Sequence, residues 1–235
     1  MAQRTALVTG AAAGIGRATA LLLAARGWRV MLNDLPGAEL DCAVAEASGV
    51  AAPGDLTDDA VVAGLFAQAE ELTAVVHSAG LFPRRRLAET TIADYDRVMA
   101  VNLRAAVQLT LLGARAMPAG GTMVFLTSGS GLMTMAADPF QRGFALYGAS
   151  KAALDRWVAG VAGELAEAGV FASTITPGAF VETPGLARQG IARPDGAAAI
   201  TAERVAEAVL RLAEDRSGAF AGRRLNAAEY GLGWL

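Results

Sequence analysis

Lysine, histidine and cysteine are almost missing from this chain. Of its 20 basic residues only Lys151 is a lysine, and the other 19 are arginines. His77 is the one histidine and Cys42 the one cysteine. A single cysteine excludes a disulfide framework within the chain and fits a reducing compartment. So few cysteines and histidines give no spacing that would hold a metal, and none is expected. An excess of positive charge is also absent. The formal net charge is −3, whereas a nucleic-acid binder carries a basic stripe. Hydrophobic residues make up 54% of the chain, but 54 of its 235 residues are alanine. Nowhere do about 20 strongly apolar residues run together, as a membrane-crossing helix requires. Met1-Ala2-Gln3-Arg4-Thr5 leads straight into an apolar strand pattern with no signal-peptide pattern before it. A cytoplasmic protein is expected, with no membrane and no nucleic-acid partner.

What is present is an alternation. Short apolar runs fall at 6–9, 29–33, 50–52, 74–77, 122–127, 170–175 and 224–226. Helix-like stretches lie near 15–27, 57–71, 93–117, 148–168 and 201–215. The runs are continuously apolar, as in strands buried on both faces of a parallel sheet. The pattern predicts an α/β fold: a Rossmann-like doubly wound parallel sheet of about seven strands with helices on both faces. No linker or repeat divides the chain, so residues 1–235 are expected to form one dinucleotide-binding and catalytic domain. The least regular segments, 129–146 and 178–200, both follow strands. They should form substrate loops at the carboxyl edge of the sheet, where open α/β sheets bind ligands.

Gly10, Gly14 and Gly16 stand between the first strand and the first helix, with Ile15 among them. Glycines there permit a tight turn and let backbone approach a pyrophosphate, which the helix N-terminus then attracts. Asp34 ends the second strand, some 24 residues after Gly10. A carboxylate there bonds a ribose 2′-hydroxyl and repels a 2′-phosphate. No basic residue occupies position 35, and position 13 is alanine. NAD is therefore expected over NADP.

Tyr147 and Lys151 are four residues apart in a helical stretch, which puts them on one face. Free tyrosine has a pKa near 10. An adjacent ammonium would favour the phenolate and lower that value, making the side chain a general acid/base near neutrality.

Together these pieces resemble the short-chain dehydrogenase/reductase family, in its short single-domain form. Thr9-Gly10-x-x-x-Gly14-Ile15-Gly16 is similar to that family's cofactor motif and Tyr147-x-x-x-Lys151 to its catalytic motif. Asn102 in Val101-Asn102-Leu103, Asp55-Leu56 and Pro177-Gly178 match further motifs in family order. The resemblance implies an NAD(H)-dependent enzyme that interconverts a secondary alcohol and a ketone. Tyr147 would exchange a proton with the substrate oxygen. Lys151 would hold the nicotinamide ribose and tune Tyr147. Asn102 would position a proton-relaying water. A serine after the fifth strand would stabilise charge on the substrate oxygen. Counting back 13 residues from Tyr147 gives Thr134, but the strand end points to Ser128, with Ser130 the alternative and a loop insertion of about six residues explaining the longer spacing. Asp55, Leu56, Ala79, Gly80, Pro177, Gly178, Phe180 and Thr183 would complete the cofactor site. A homodimer or homotetramer is expected, through the helical stretches 93–117 and 148–168.

Some residues depart from the family pattern. His77-Ser78-Ala79-Gly80 stands where the family has Asn-Asn-Ala-Gly, and His77 reads as a structural substitute. Thr183 falls one residue late, the segment from Pro184 to Thr201 is short, and the C-terminus lacks Val-Asp-Gly-Gly. These departures admit an alternative: a non-catalytic NAD(H)-binding regulatory protein of the same fold. The Met- and Phe-rich insertion 132–144 suits either an apolar substrate or plain packing. Arg84-Arg85-Arg86 reads as a solvated turn or a contact for an acidic group.

Overall fold

The computed structural model describes residues 4–135 and 138–234. Seven parallel strands form one sheet: β1 (Thr5–Thr9), β2 (Arg29–Asn33), β3 (Val50–Ala51), β4 (Leu72–His77), β5 (Gly121–Leu126), β6 (Val170–Thr176) and β7 (Arg224–Asn226). Their spatial order is β3-β2-β1-β4-β5-β6-β7. The doubly wound sheet expected from the continuous apolar runs is therefore observed. β1 and β5 are buried along their whole length, which is why neither alternates polar with apolar residues.

The helices are α1 (Gly14–Ala25), α2 (Ala38–Ala47), α3 (Asp59–Gln68), α4 (Ile92–Met99), α5 (Ala105–Ala116), α6 (Ala145–Glu167), α7 (Pro184–Arg188) and α8 (Ala202–Ala213). Leu23 of α1, Leu40 of α2 and Val205 and Val209 of α8 cover one face of the sheet. Val62 of α3, Leu109 of α5 and Leu154 and Val158 of α6 cover the other. The strand order turns back between β1 and β4, so the loops after them diverge and open a cleft at the carboxyl edge. At that edge Thr9 lies level with Asn33 on one side and His77 on the other.

Three elements differ from expectation, the short helix α7 within the loop 178–200 being one. Helix α2 falls where none is predicted. It buries Leu40, Ala43 and Ala47, and a stripe made mostly of alanine carries too little hydrophobic contrast to be read as periodic. The stretch 93–117 is not one helix. A π turn at Ala100–Arg104 separates α4 from α5 and carries buried Asn102. The insertion contains three short 3-10 turns, at Gly129–Gly131, Met133–Met135 and Pro139–Gln141. Ala136 and Ala137 lie outside the described residues.

Candidate active site

The cleft begins at the turn after β1. Gly10 adopts φ +67°, and a Cβ there would sit 2.6 Å from the Ala79 amide nitrogen, so only glycine lets the two loops touch. Gly16 does not line the cleft. It lets α1 pack on the turn, for its Cβ would meet the Gly10 carbonyl oxygen at 2.1 Å. Ala13 leads into α1 without a side-chain cap, and the first turn has no acidic residue. The first N–H groups of α1 thus have no side-chain acceptor, and an anion fits there.

Asp34 accepts the Ala12 N–H at 3.0 Å and the Leu35 N–H at 2.8 Å. Its carboxylate is thereby fixed beside the glycine turn, on the cleft wall. Asn33, which sequence reading overlooked, ties β2 to the next loop through the Ala52 and Gly54 carbonyls at 2.9 and 3.2 Å. That bond orients Asp55 and Leu56 along the same wall. Gly14, Ile15, Ala79, Gly80, Pro177 and Gly178 also border the cleft. Phe180 does so from a loop anchored by its bridge to Ala199. Thr183 caps α7, accepting the Leu186 N–H at 3.4 Å, and places its methyl group beside Gly14.

At the far end stand the residues with acid–base chemistry. Tyr147 and Lys151 share one face of α6, and the Lys151 ammonium lies 5.9 Å from the Tyr147 ring centre. Ser128, at the end of β5, stands beside the Tyr147 side chain, near enough for its hydroxyl to favour the phenolate. Its Oγ also accepts the Ser130 N–H at 3.2 Å. Of the two serines weighed from the sequence, Ser128 is the one whose hydroxyl acts on Tyr147. Lys151 is buried and donates to the Leu126 carbonyl at 2.7 Å. Burial lowers its pKa to about 8, against the opposing charge of Asp155.

One expectation needs correction. Tyr147 is not shifted down. Burial raises its pKa, and the nearby Ser128 hydroxyl only partly offsets that. The Lys151 ammonium is turned to the Leu126 carbonyl, so the phenolate gains little from it in this arrangement.

Asn102 is buried and does not line the cleft. Its Oδ1 accepts the Leu81 N–H at 2.7 Å, and its Nδ2 donates to the Leu81 carbonyl and to Ser150 Oγ at 2.8 and 2.9 Å. Ser150 in turn donates to the Tyr147 carbonyl at 2.7 Å. The Asn102 side chain thus braces the loop after β4 against the Tyr147 helix. His77 is fully buried and away from the cleft, with Nδ1 2.9 Å from Thr9 Oγ1. Burial and the Lys151 charge lower its pKa to about 3, so it is neutral. The structure accords with a structural substitute.

An aromatic wall surrounds Tyr147. The Phe82 and Phe144 rings meet it edge-to-face, with centroids at 6.0 and 6.1 Å. Phe140 packs on Phe144 at 5.6 Å and reaches Phe180 at 6.3 Å. The insertion and the loop after β6 therefore meet over the site. Arg84 lies against the Phe140 and Phe144 rings and donates to the Arg142 carbonyl, while Arg85 pairs with Asp94. The cleft volume is about 940 Å³, room for a dinucleotide and a small molecule.

Comparisons with known proteins agree with this geometry. The family model described as short chain dehydrogenase matches residues 4–192. A sorbitol dehydrogenase of Cereibacter sphaeroides is 34% identical over 184 residues, covering 74% of this chain and 70% of its own. A short-chain dehydrogenase/reductase of Hericium erinaceus is 32% identical over 199 residues, covering 78% and 76%. Among solved structures, a Burkholderia cenocepacia short chain dehydrogenase in complex with NADP is 28% identical. It superposes with a TM-score of 0.83 over 95% of this chain and 97% of its own. The chain belongs to the short-chain dehydrogenase family, a family of oxidoreductases that bind a nicotinamide cofactor.

Proposed function

We propose that this protein is an NAD(H)-dependent oxidoreductase that interconverts a secondary alcohol and a ketone. The observation that carries the reading is the convergence of Ser128, Tyr147 and Lys151 at one end of a cleft whose other end is an uncapped helix N-terminus. The N–H groups of α1 would hold the pyrophosphate. Asp34 would accept the adenosine ribose 2′-hydroxyl, and its fixed charge disfavours a 2′-phosphate. Relatives and structural neighbours include an NADPH-dependent reductase-like protein and an NADP complex, so the choice rests on Asp34 together with the lack of a basic residue at positions 13 and 35. Asp55, Leu56, Ala79 and Gly80 would flank the adenosine half. Pro177, Gly178, Phe180 and Thr183 would flank the nicotinamide half.

Bound nicotinamide supplies or takes up the hydride. The protein handles the proton. In the reducing direction the Tyr147 hydroxyl donates to the carbonyl oxygen as negative charge develops there, and Ser128 donates a hydrogen bond to the same oxygen. A raised Tyr147 pKa keeps that proton in place at neutral pH. In the oxidising direction Tyr147 must first lose it. Lys151 would hold the nicotinamide ribose, and turning its ammonium from the Leu126 carbonyl towards the cleft would favour the phenolate. Asn102 would act through backbone. Its side chain is engaged, so a relaying water would have to be held by main-chain groups of that segment.

The four phenylalanines support an apolar, ring-bearing substrate admitted by the loops 129–146 and 178–200. The whole chain, 1–235, would act as one catalytic unit in the cytoplasm, as a homodimer or homotetramer. Replacing Tyr147 by Phe should abolish turnover of an aryl alkyl ketone while NADH still quenches protein fluorescence. Full activity in that variant would sink the assignment. NADH binding without turnover across ketones, sugars and hydroxyacyl thioesters would favour a regulatory protein instead. Phe140→Ser should lower kcat/KM for the aryl ketone more than for a small aliphatic ketone.

A further inference from the structure

Sequence reading passed over Asp155 and Arg224. Asp155 lies on α6 one turn beyond Lys151 and two beyond Tyr147. Arg224 opens β7, level with Thr174 of β6. Their side chains form an ion pair, Arg224 Nε to Asp155 Oδ2 at 3.0 Å, with exposures of only 26% and 16%. The same carboxylate oxygen accepts the Thr127 hydroxyl at 3.0 Å. The Thr127 hydroxyl also lies 3.4 Å from the Lys151 carbonyl. Arg224 has a second contact: its Nη2 donates to the Ser128 carbonyl at 3.0 Å. Asp155 Oδ1 is buried and bonds to none of the described residues. The carboxylate therefore depends on Arg224 and Thr127.

These contacts converge on one dipeptide. Thr127-Ser128 is where β5 ends and the insertion begins, and its Ser128 must face Tyr147 across the gap to α6. The side chain of Thr127 and the carbonyl of Ser128 are both tied to the pair. A planar guanidinium can bond a carboxylate and a carbonyl at once because its donors diverge at fixed angles. We propose that the Asp155–Arg224 ion pair is the positioning device that fixes Ser128 against Tyr147, and that neither residue contacts substrate. The proposal rests on the assignment of Ser128 and Tyr147 to proton transfer.

Arg224→Lys, Arg224→Met, Asp155→Asn and the double change Asp155→Leu with Arg224→Met separate this role from plain stability. Lysine can pair with Asp155 but cannot reproduce the fork. It should keep the melting temperature and still lose kcat. Arg224→Met and Asp155→Asn should lower kcat for an aryl ketone by about 10- to 100-fold, the effect of misplacing a reacting group by a fraction of an ångström to an ångström. Arg224 borders the cleft while Asp155 does not, but the guanidinium is engaged by Asp155 and the Ser128 carbonyl, so KM and the NADH dissociation constant should stay within about twofold. An apolar pair of similar volume often restores stability lost with a buried ion pair. The double variant should therefore regain melting temperature over the single changes without regaining kcat.

The pH profile adds a second readout. The charged and titratable groups facing Lys151 are Asp155 on its own helix, Tyr147, and His77 of β4. Asp155→Asn removes the one that holds the ammonium up. The pH at which alcohol oxidation falls off should then move down, and Arg224→Lys should leave it in place. Full kcat in Arg224→Lys, or kcat recovered together with stability in the double variant, would overturn the proposal. So would a loss of NADH affinity parallel to the loss of kcat. Full activity of Tyr147→Phe would instead remove the underlying assignment, whatever these variants do.

Discussion

On the proposed reading, cofactor choice comes down to one charge. Asp34 is held by two backbone N–H groups, so it cannot swing away from a 2′-phosphate without losing both. A hydrogen bond to a charged acceptor contributes about 1.5–3 kcal/mol. Asp34→Ala should therefore weaken NADH binding by roughly 10- to 100-fold. It should weaken NADPH binding much less, because the repulsion goes with the carboxylate. Fluorescence titration of both cofactors checks this. Tighter binding of NADPH than NADH by the unmodified protein would show that Asp34 does not set the preference. The lone lysine poses the same kind of question. A buried, compact ammonium donating to the Leu126 carbonyl leaves no room for a broad guanidinium, so Lys151→Arg should lose activity although it keeps the charge.

At the scale of elements, the glycine turn offers the clearest test. Ala at position 10 must take φ +67° and press on the Ala79 backbone. Neither the turn nor the loop after β4 is a flexible side-chain end that can yield. Gly10→Ala should destabilise the protein by about 1–3 kcal/mol and abolish NADH binding, measured by denaturation and by titration. Gly27 has a positive φ with nothing near its Cβ. Gly27→Ala should cost only the backbone strain and leave binding unchanged.

The same contrast explains what could be read from the sequence. The strands, the glycine turn and the Tyr147/Lys151 face are local: each is set by residues within one turn or one run. Ser128 could be proposed because a strand end marks it. Asp155 and Arg224 are 69 residues apart, and only the β6–β7 pairing brings them together, so no spacing announces them. The π turn has no signal either. One extra residue shifts the phase of the apolar pattern by about 100°, which an alanine-rich stretch has too little contrast to show. The direction of the Tyr147 shift was misread for a related reason. The spacing puts an ammonium near the ring, but which group that ammonium bonds is decided by a carbonyl on another element.

For the molecule as a whole, unmatched surface and buried titration make separate predictions. Ile92 and Tyr95 of α4 and Leu111 of α5 are 77%, 45% and 47% exposed. Apolar side chains left in water on the α4–α5 side suit a two-fold interface. Light scattering should give a mass of two or four chains, and Leu111→Glu should shift it towards one; a wild-type mass of one chain would refute the assembly.

Buried titration makes stability depend on pH in a definable way. In the unfolded chain His77 takes up a proton near 6.5, while in the folded protein burial holds protonation off until about 3. Between those values the unfolded state binds more protons, so stability falls as pH drops. The contribution is fully present above 6.5 and is lost towards 3, with a slope of up to about 1.4 kcal/mol per pH unit. Lys151 acts in another window with the same sign. Its value is about 8 folded against 10.5 unfolded, so stability climbs as pH rises from 8 to 10.5. His77→Asn supplies a polar neighbour for Thr9 without a titrating ring. Its stability, from urea midpoints at fixed slope, can be lower than wild type at pH 7.5 because a smaller side chain leaves space. The difference between the two proteins should nevertheless shrink steadily as pH falls from 6.5 to 4.5. Parallel curves over that range would mean that His77 does not carry the acid sensitivity. Lys151→Met should likewise lose the alkaline climb, and it should also soften the acid limb, because the Lys151 charge helps burial to hold His77 neutral.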